Sequence, residues 1–221
     1  MSVRTIFFIT ITLALLPTPE LGAEEQSSRQ LSRMWFGGST AALPSFLLDS
    51  LFETSHTIYT GDTGIRYSSG REDNETSFSF AIGTFLTGGK IWRGNNSSPQ
   101  EAFRADLDMH YYSVSVGKEW GKALGKNLSL RYGLGIGVAV FAGDIYTTEV
   151  IPGCEEPVSS CAHWNSVTRE PVEFSSRFLP LLDLHLGLRC DLSGTLALQL
   201  DCGLRDLPYL AVYLGSKRTK K

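Results

Sequence analysis

Long hydrophobic segments are missing from this chain of 221 residues. No stretch approaches the ~20 consecutive apolar residues of a membrane-spanning helix. The formal net charge is only −3, which gives no electrostatic reason to expect a nucleic-acid partner. His56, His110 and His163 lie far apart without metal-ligand spacing, and no glycine-rich phosphate loop leads from a strand into a helix. We therefore predict no metal, no cofactor and no nucleic acid.

Segments of helical period are scarce as well, whereas glycine is abundant, with 22 residues. Apolar residues mostly recur at every second position, which is the period of a β-strand. The pattern favours an all-β protein of one ordinary domain.

Residues 1–23 have the form of a secretory signal peptide. Arg4 precedes an apolar run from Ile6 to Leu16, and the small pair Gly22-Ala23 follows. The run is too short to span ~30 Å as a helix, so we expect export and cleavage after Ala23. Residues 24–33 are predicted to be a flexible lead-in, and residues 216–221 a basic periplasmic tail.

The longest alternating stretch runs from Lys126 to Phe141. It is about three times as long as an ordinary strand of ~5–6 residues. Its odd-numbered positions are small or charged and include Gly133, Gly135 and Gly137. Its even-numbered positions are apolar: Leu128, Leu130, Tyr132, Leu134, Ile136, Val138 and Val140.

A second alternating pattern predicts a hairpin over residues 182–204. Leucines alternate there with polar residues on both sides of Ser193-Gly194. A tight turn centred on Gly194 pairs Cys190 with Leu198 and Leu186 with Cys202. The two thiols then lie on the apolar face, do not face each other, and behave as small apolar side chains.

The stretch from Asp106 to Gly117 changes phase. Its apolar residues are odd-numbered up to Tyr111 and even-numbered from Tyr112 onward. A shift of one residue is what a β-bulge produces, so we predict a bulge at this point.

Alternation alone permits either a soluble lipocalin-like barrel or a transmembrane one. The uniform apolar face favours the second, because the strands exceed the ~9–11 residues that cross a bilayer. The glycine-rich opposite face suits a crowded interior. Aromatic residues near the predicted strand ends would form interfacial girdles: Trp35, Tyr67, Trp92, Trp120, Tyr146, Tyr209 and Tyr213.

Seven strands are clear, and an eighth must lie within Met34–Phe52. Short links then alternate with the long links at residues 87–105 and 142–172, as periplasmic turns alternate with outer loops. We predict an antiparallel, up-and-down transmembrane barrel over residues 34–215, with both termini in the periplasm. Eight strands are expected, and ten if a long loop contains a hairpin.

Two groups of side chains could carry a structural or chemical role. Cys154 and Cys161, in a long outer loop of an exported chain, are predicted to form a disulfide. A set of charged residues would share the barrel interior: Arg131, Asp183, His185, Arg189, Asp201 and Arg205. They would form a network that fills the barrel or, alternatively, a proton-transfer or hydrolytic site around His185. No Ser/His/Asp spacing marks a nucleophile, so we predict no catalytic residue.

With these features the chain resembles the small outer-membrane β-barrels of Gram-negative bacteria, the OmpA/OmpX-like and porin-like group. The signal peptide, the stretch Tyr132–Val140, the hairpin of residues 182–204 and the closing L-P-Y-L-A-V-Y-L carry the resemblance. It implies an architecture and transfers no catalytic residue.

We therefore expect a monomeric, non-enzymatic outer-membrane barrel with a structural or surface-interaction role and at most a narrow pore. Its partners would be outer-membrane lipid, lipopolysaccharide and the barrel-assembly machinery. The alternatives are a membrane-embedded enzyme that modifies lipid or lipopolysaccharide, and a soluble periplasmic barrel that binds an apolar ligand.

Overall fold

The computed structural model describes residues 31–49, 52–54, 56–151, 153, 155, 157, 160–163, 170–172 and 178–219. The predicted signal peptide and Cys154 lie outside the described residues. The strands are β1 (Leu31–Leu43), β2 (Phe52–Thr54), β3 (Ile58–Arg71), β4 (Asn74–Phe85), β5 (Lys90–Gly94), β6 (Phe103–Ala123), β7 (Leu128–Glu149), β8 (Glu170–Val172), β9 (Phe178–Asp191), β10 (Leu196–Arg205) and β11 (Leu207–Thr219).

Eight of these strands close into an antiparallel barrel. Starting from β1, each strand pairs with the next in the order β1, β3, β4, β6, β7, β9, β10 and β11. Pairing of β11 with β1 completes the ring. The prediction of an all-β barrel with eight strands is confirmed. The short strands β2, β5 and β8 extend the sheet outside this ring and do not raise its strand number.

The eighth strand predicted within Met34–Phe52 is β1, but the barrel is longer than predicted at both ends. β1 begins at Leu31, inside the predicted lead-in, because Leu31 pairs with both Gly70 and Thr219. β11 continues through most of the predicted tail, where the backbone N–H of Lys217 donates to the Thr195 carbonyl. The predicted limits of residues 34 and 215 are therefore too narrow.

The links between barrel strands differ at the two ends. We call one the short-turn end; it carries the links at residues 72–73, 124–127 and 192–195 and the termini of the described chain, Leu31 and Thr219. The opposite end is the long-loop end; it carries the links at residues 44–57, 86–102, 150–177 and 206.

The two faces of the barrel follow the alternation seen in β7. Ile136 is 61% exposed on the outer face, whereas Arg131 is fully buried on the inner face. The same division holds in β11, where Leu210, Val212 and Leu214 point outward and Tyr209 and Tyr213 are buried. The predicted separation of an outer apolar face from an inner face of small and charged residues thus holds in these strands.

The β-bulge predicted near Tyr111 and Tyr112 is absent from β6, so that prediction is wrong. The pairing of β6 with β4 runs from Trp120–Asn74 to His110–Thr84 without a register shift. The pairing of β6 with β7 covers the whole length of β6, also without a shift. The buried Met109 and Ser113 share the inner face. The apolar residues change phase because the outer face becomes polar at His110 and Asp108, while the inner face becomes apolar.

On the long-loop side of the pair His110–Ala142, β6 and β7 continue as an extension of the barrel wall. The predicted long links at residues 87–105 and 142–172 are partly sheet, because β5 pairs with β6, and β8 with β7. Trp92 of β5 is buried and packs edge-on against Phe52 and His56, with ring centroids 5.3 and 5.5 Å away. Trp92 therefore belongs to a small cluster in this extension, and its assignment to an interfacial girdle is wrong.

The hairpin of β9 and β10 has the predicted register. Cys190 pairs with Leu198, and Cys202 with Leu186. Both sulfur atoms are free thiols on the outer face.

In the part of the chain that the structure describes, helical structure is limited to α1 (Ser45–Leu48) and a 3-10 turn at Pro99–Glu101. Within the described ranges, no helix is both long enough and apolar enough to cross a membrane.

Trp35 supplies a packing test of the short-turn end. Its ring is buried inside the barrel and lies directly on Gly215 of the neighbouring strand β11, where an added Cβ would overlap the ring. We predict that Gly215→Ala lowers the free energy of unfolding by about 1–3 kcal/mol, since the rigid indole must move.

Denaturant titration of the folded chain measures this loss. Gly194→Ala is the matched control, because its added Cβ meets no atom within 4 Å. Equal stability of the two variants would contradict the packing described.

Candidate functional site

Buried charged side chains from most of the barrel strands meet inside the short-turn half and middle of the barrel. Inward positions on β1, β3, β4, β6, β7, β9 and β10 contribute to this interior cluster. Its members are Arg33, Arg66, Glu75, Glu119, Arg131, Asp183, His185, Arg189, Gln199, Asp201 and Arg205.

Glu75 is one centre of the cluster. Its carboxylate pairs with Arg33, with Arg189 Nη1 at 2.6 Å and with Arg131 Nη2 at 3.3 Å. The Ser68 hydroxyl donates a further hydrogen bond of 2.7 Å to it. Three guanidinium groups surround this buried carboxylate, so its charge is compensated without water.

Glu119 is the second centre and shares two of these arginines. Arg131 Nε donates to it at 2.8 Å and Arg189 Nη2 at 2.5 Å. The Gln199 amide donates to the other carboxylate oxygen at 3.0 Å, and His185 Nε2 lies 3.3 Å from the same oxygen. Arg131 and Arg189 thus connect the two carboxylates into one network.

The network continues toward the long-loop end through two more carboxylates. Asp201 accepts hydrogen bonds from Gln199 and, at 3.2 Å, from Arg66. Asp183 accepts one of 3.1 Å from Arg205 and lies 3.5 Å from His185 Nδ1. All six charged residues predicted for the interior are therefore placed inside the barrel, where Glu119 and Gln199 connect them into one network.

Aromatic rings support three of the arginines. The guanidinium carbon of Arg189 lies 4.8 Å from the Trp35 ring centroid, and that of Arg66 lies 4.2 Å from Tyr213. The guanidinium carbon of Arg205 lies 4.8 Å from the centroid of Tyr209. Such stacking is favourable for a planar cation, most of all where water is excluded.

These stacks correct the predicted girdle. Trp35, Tyr209 and Tyr213 are buried inside the barrel, so their interfacial assignment is wrong. Their inward phase matches that of the small residues beside them in β1 and β11.

The remaining girdle residues lie elsewhere. Tyr67 is exposed on the outer face, and Trp120 stacks on Tyr132 with centroids 5.9 Å apart. Tyr146 lies on the extension of β7, where its hydroxyl donates to Asp144.

Four charged members of the interior cluster were missed by sequence reasoning: Arg33, Arg66, Glu75 and Glu119. The polar composition of residues 68–75 predicts a turn there, but β3 ends at Arg71 and β4 begins at Asn74, so Glu75 lies in a strand. Arg66 shares the polar phase of Asp62, and that signal was sufficient to include it. Arg33 fell in the predicted lead-in.

The cluster offers little for catalysis or metal binding. The carboxylates of Glu75, Glu119, Asp183 and Asp201 are all held by arginine. Among the described residues, no group of three or more His, Cys, Asp or Glu side chains could hold a metal ion. The arrangement is suited to filling the barrel with compensated charge.

Comparison with known proteins finds similarity in fold alone. No protein-family model matches the chain, and no curated protein matches it in sequence. Neisserial surface protein A is 8% identical over 86% of this chain and 97% of that one, with a TM-score of 0.48. Ail, the attachment invasion locus protein of Yersinia pestis, is 15% identical over 86% and 99%, with a TM-score of 0.41.

The N-terminal β-barrel domain of Pseudomonas aeruginosa OprF is 11% identical over 87% of this chain and 100% of that one, with a TM-score of 0.36. The eight-stranded antiparallel ring described above is the architecture that the resemblance implied. Activity and partners have to be argued from the chain itself.

Removal of one central charge tests the energetic role of the cluster. We predict that Glu119→Gln lowers the free energy of unfolding by about 3–5 kcal/mol, because buried Arg131 and Arg189 lose a shared counter-charge.

Glu72→Gln is the matched control. Its carboxylate is 64% exposed and pairs with Lys217 and with Arg33, which keeps its buried partner Glu75, so the change costs about 0–1 kcal/mol. Unfolding in urea, followed by tryptophan fluorescence, measures both. A Glu119→Gln variant as stable as wild type would show that the cluster does not stabilise the barrel.

Proposed function

We propose that the chain is an outer-membrane β-barrel protein with a structural or surface-interaction role and no enzymatic activity. The observation that carries this proposal is the continuous belt of exposed apolar side chains around the barrel. Every strand of the ring contributes to it: Phe36, Ile65, Phe78, Val114, Ile136, Leu186, Leu200 and Val212 are examples.

Such a belt would be unfavourable in water, where soluble monomers seldom expose contiguous apolar patches above a few hundred Å². A closed barrel satisfies all its strand hydrogen bonds internally, so it can face hydrocarbon. The soluble lipocalin-like alternative required the leucine face to point inward, whereas the structure turns that face outward.

The predicted signal peptide supports export and hence the bacterial outer membrane as the location. The short-turn end would then lie in the periplasm and the long-loop end outside the cell. In this orientation Leu31 and Thr219 are periplasmic, and the extension built from β2, β5 and β8 is at the cell surface.

The interior cluster supports a barrel that is closed to bulk transport. Eight strands leave an interior that side chains can just fill, and here arginines and carboxylates fill its short-turn half. The function would therefore reside in the outer surface and the long-loop end.

A lipid-modifying enzyme is less well supported. His185 lies between Glu119 and Asp183, and both of these carboxylates are already bound by arginine. Neighbouring side chains thus hold the histidine in a salt-bridge network, away from the apolar outer face where a lipid would lie.

Lipid and lipopolysaccharide would contact the belt of exposed apolar side chains. The barrel-assembly machinery would insert the chain, which would remain a monomer. Cys154 and Cys161 would form a disulfide in the outer loop.

Isolation of outer membranes from a bacterium expressing the full chain tests the proposal. We predict recovery in the outer-membrane fraction, release only by detergent, and a change in gel migration on heating, because the closed barrel resists unfolding in cold detergent.

Deletion of residues 2–23 is the control and should leave the chain in the cytoplasm or in aggregates. Recovery of the full chain in the soluble periplasm, without detergent, would overturn the membrane proposal.

A further inference from the structure

The long-loop half of the barrel interior contains a cavity of about 90 Å³ above the interior cluster. It exists because inward positions at this level are small, among them Ala41, Ser113 and Ala139, whereas arginines fill the levels below. Leu179 lines the cavity and is 42% exposed, so the cavity opens to solvent at the long-loop end.

Its walls are mostly apolar and aromatic. Three rings form a triangle, since the centroids of Phe85, Tyr111 and Phe141 are 6.1 to 6.3 Å apart. Leu179, Leu181 and Leu207 complete the wall. The Tyr111 hydroxyl donates a hydrogen bond of 2.9 Å to Asp62, which fixes the orientation of this ring.

The polar groups that line the cavity have an acidic excess. Asp62 and Asp206 line it, and Arg205 is the basic side chain among the described lining residues. Arg205 is already bound to Asp183 through Nε at 3.1 Å, whereas its Nη1 lies 3.7 Å from Asp62. The groups that donate to Asp62 at 2.7 to 3.1 Å are neutral and leave its charge in place: Ser39 N, Ser39 Oγ and Tyr111 Oη.

Charge is thus divided unevenly along the barrel. Around the cavity, three carboxylates accompany one guanidinium group: Asp62, Asp183, Asp206 and Arg205. Among the other members of the interior cluster, Arg33, Arg66, Arg131 and Arg189 outnumber Glu75, Glu119 and Asp201. A protonated His185, which lies 3.5 Å from Asp183, would still leave an acidic excess around the cavity.

We infer that this cavity binds a small aromatic amine in its cationic form. The aromatic ring would pack between Phe85, Phe141 and the leucines, and the ammonium group would lie near Asp62 and Asp206. Carboxylates and aromatic faces both attract a cation, and the attraction is stronger where water is largely excluded. At about 90 Å³ this cavity is smaller than an enclosed cavity of about 150 Å³ that holds benzene, so part of a ligand with a single ring and a short chain would extend through its open side.

Binding is tested with three ligands of nearly equal shape. Phenethylamine is cationic at neutral pH, 2-phenylethanol is neutral and 3-phenylpropanoate is anionic. The full barrel is placed in nanodiscs of zwitterionic phospholipid, and ligand-observed NMR gives each dissociation constant after subtraction of empty nanodiscs. We expect saturable binding of phenethylamine at least about tenfold tighter than that of 3-phenylpropanoate, with the alcohol between them.

Two alanines of β1 provide a matched pair of variants. Ala41 lines the cavity, and Ala42 is the next residue on the opposite face. Ala41→Leu should weaken phenethylamine binding more than about tenfold by filling the space, and Ala42→Leu should leave it unchanged.

Three results would overturn the inference. They are tighter binding of the anion than of the amine, no saturable binding of the amine to wild type, and equal affinities of Ala41→Leu and Ala42→Leu. The order of the three ligands on wild type decides the matter even if Ala41→Leu does not fold.

Discussion

Pairing of β1 with β11, from Leu31–Thr219 to Ala41–Tyr209, is the constraint on which the rest of the structure depends. It leaves the ring without an open edge, so backbone polar groups need no water on either face. The outer face is therefore free to be uniformly apolar. The same closure fixes a narrow interior, which has to be filled by the inward side chains of eight strands.

The way the interior is filled differs between the two ends. In the short-turn half, Arg131 and Arg189 each bind both Glu75 and Glu119, so buried charges are compensated by more than one partner. This matters because an ion removed from water costs several kcal/mol unless its partners are well placed. In the long-loop half the side chains around Arg205 are small, apolar or acidic, and a cavity remains. The interior of the barrel is thus filled in the short-turn half and contains a cavity in the long-loop half.

The alternation of β7 and of the β9–β10 hairpin sufficed to predict the strand type, the eight-strand ring and the pairing of Cys190 with Leu198. The interior positions of Arg131 and Asp183 followed from the same phase.

The aromatic residues could not be assigned this way, because Trp35 or Tyr213 suits lipid or a stacked arginine equally well. The change of phase in β6 was wrongly interpreted as a bulge. On the long-loop side of Tyr111, the outer face of β6 becomes polar and its inner face becomes apolar. Glu75 was missed because the local composition indicates a turn. The pairing of β3 with β4, which reaches Arg71 and Asn74, places Glu75 in a strand.

The central claim is that the outer face of the closed ring lies in lipid and leaves it where β6 and β7 turn polar. Spin labels attached to single cysteines at Val138 and Asp144, in a variant lacking the four native cysteines, test it directly in bilayers. Val138 is 40% exposed and Asp144 is exposed, and both occupy even-numbered positions of β7. The account predicts that a label at 138 collides with lipid-dissolved oxygen and not with a water-soluble nickel complex, and that a label at 144 does the reverse. Access of the nickel complex to position 138 would contradict it.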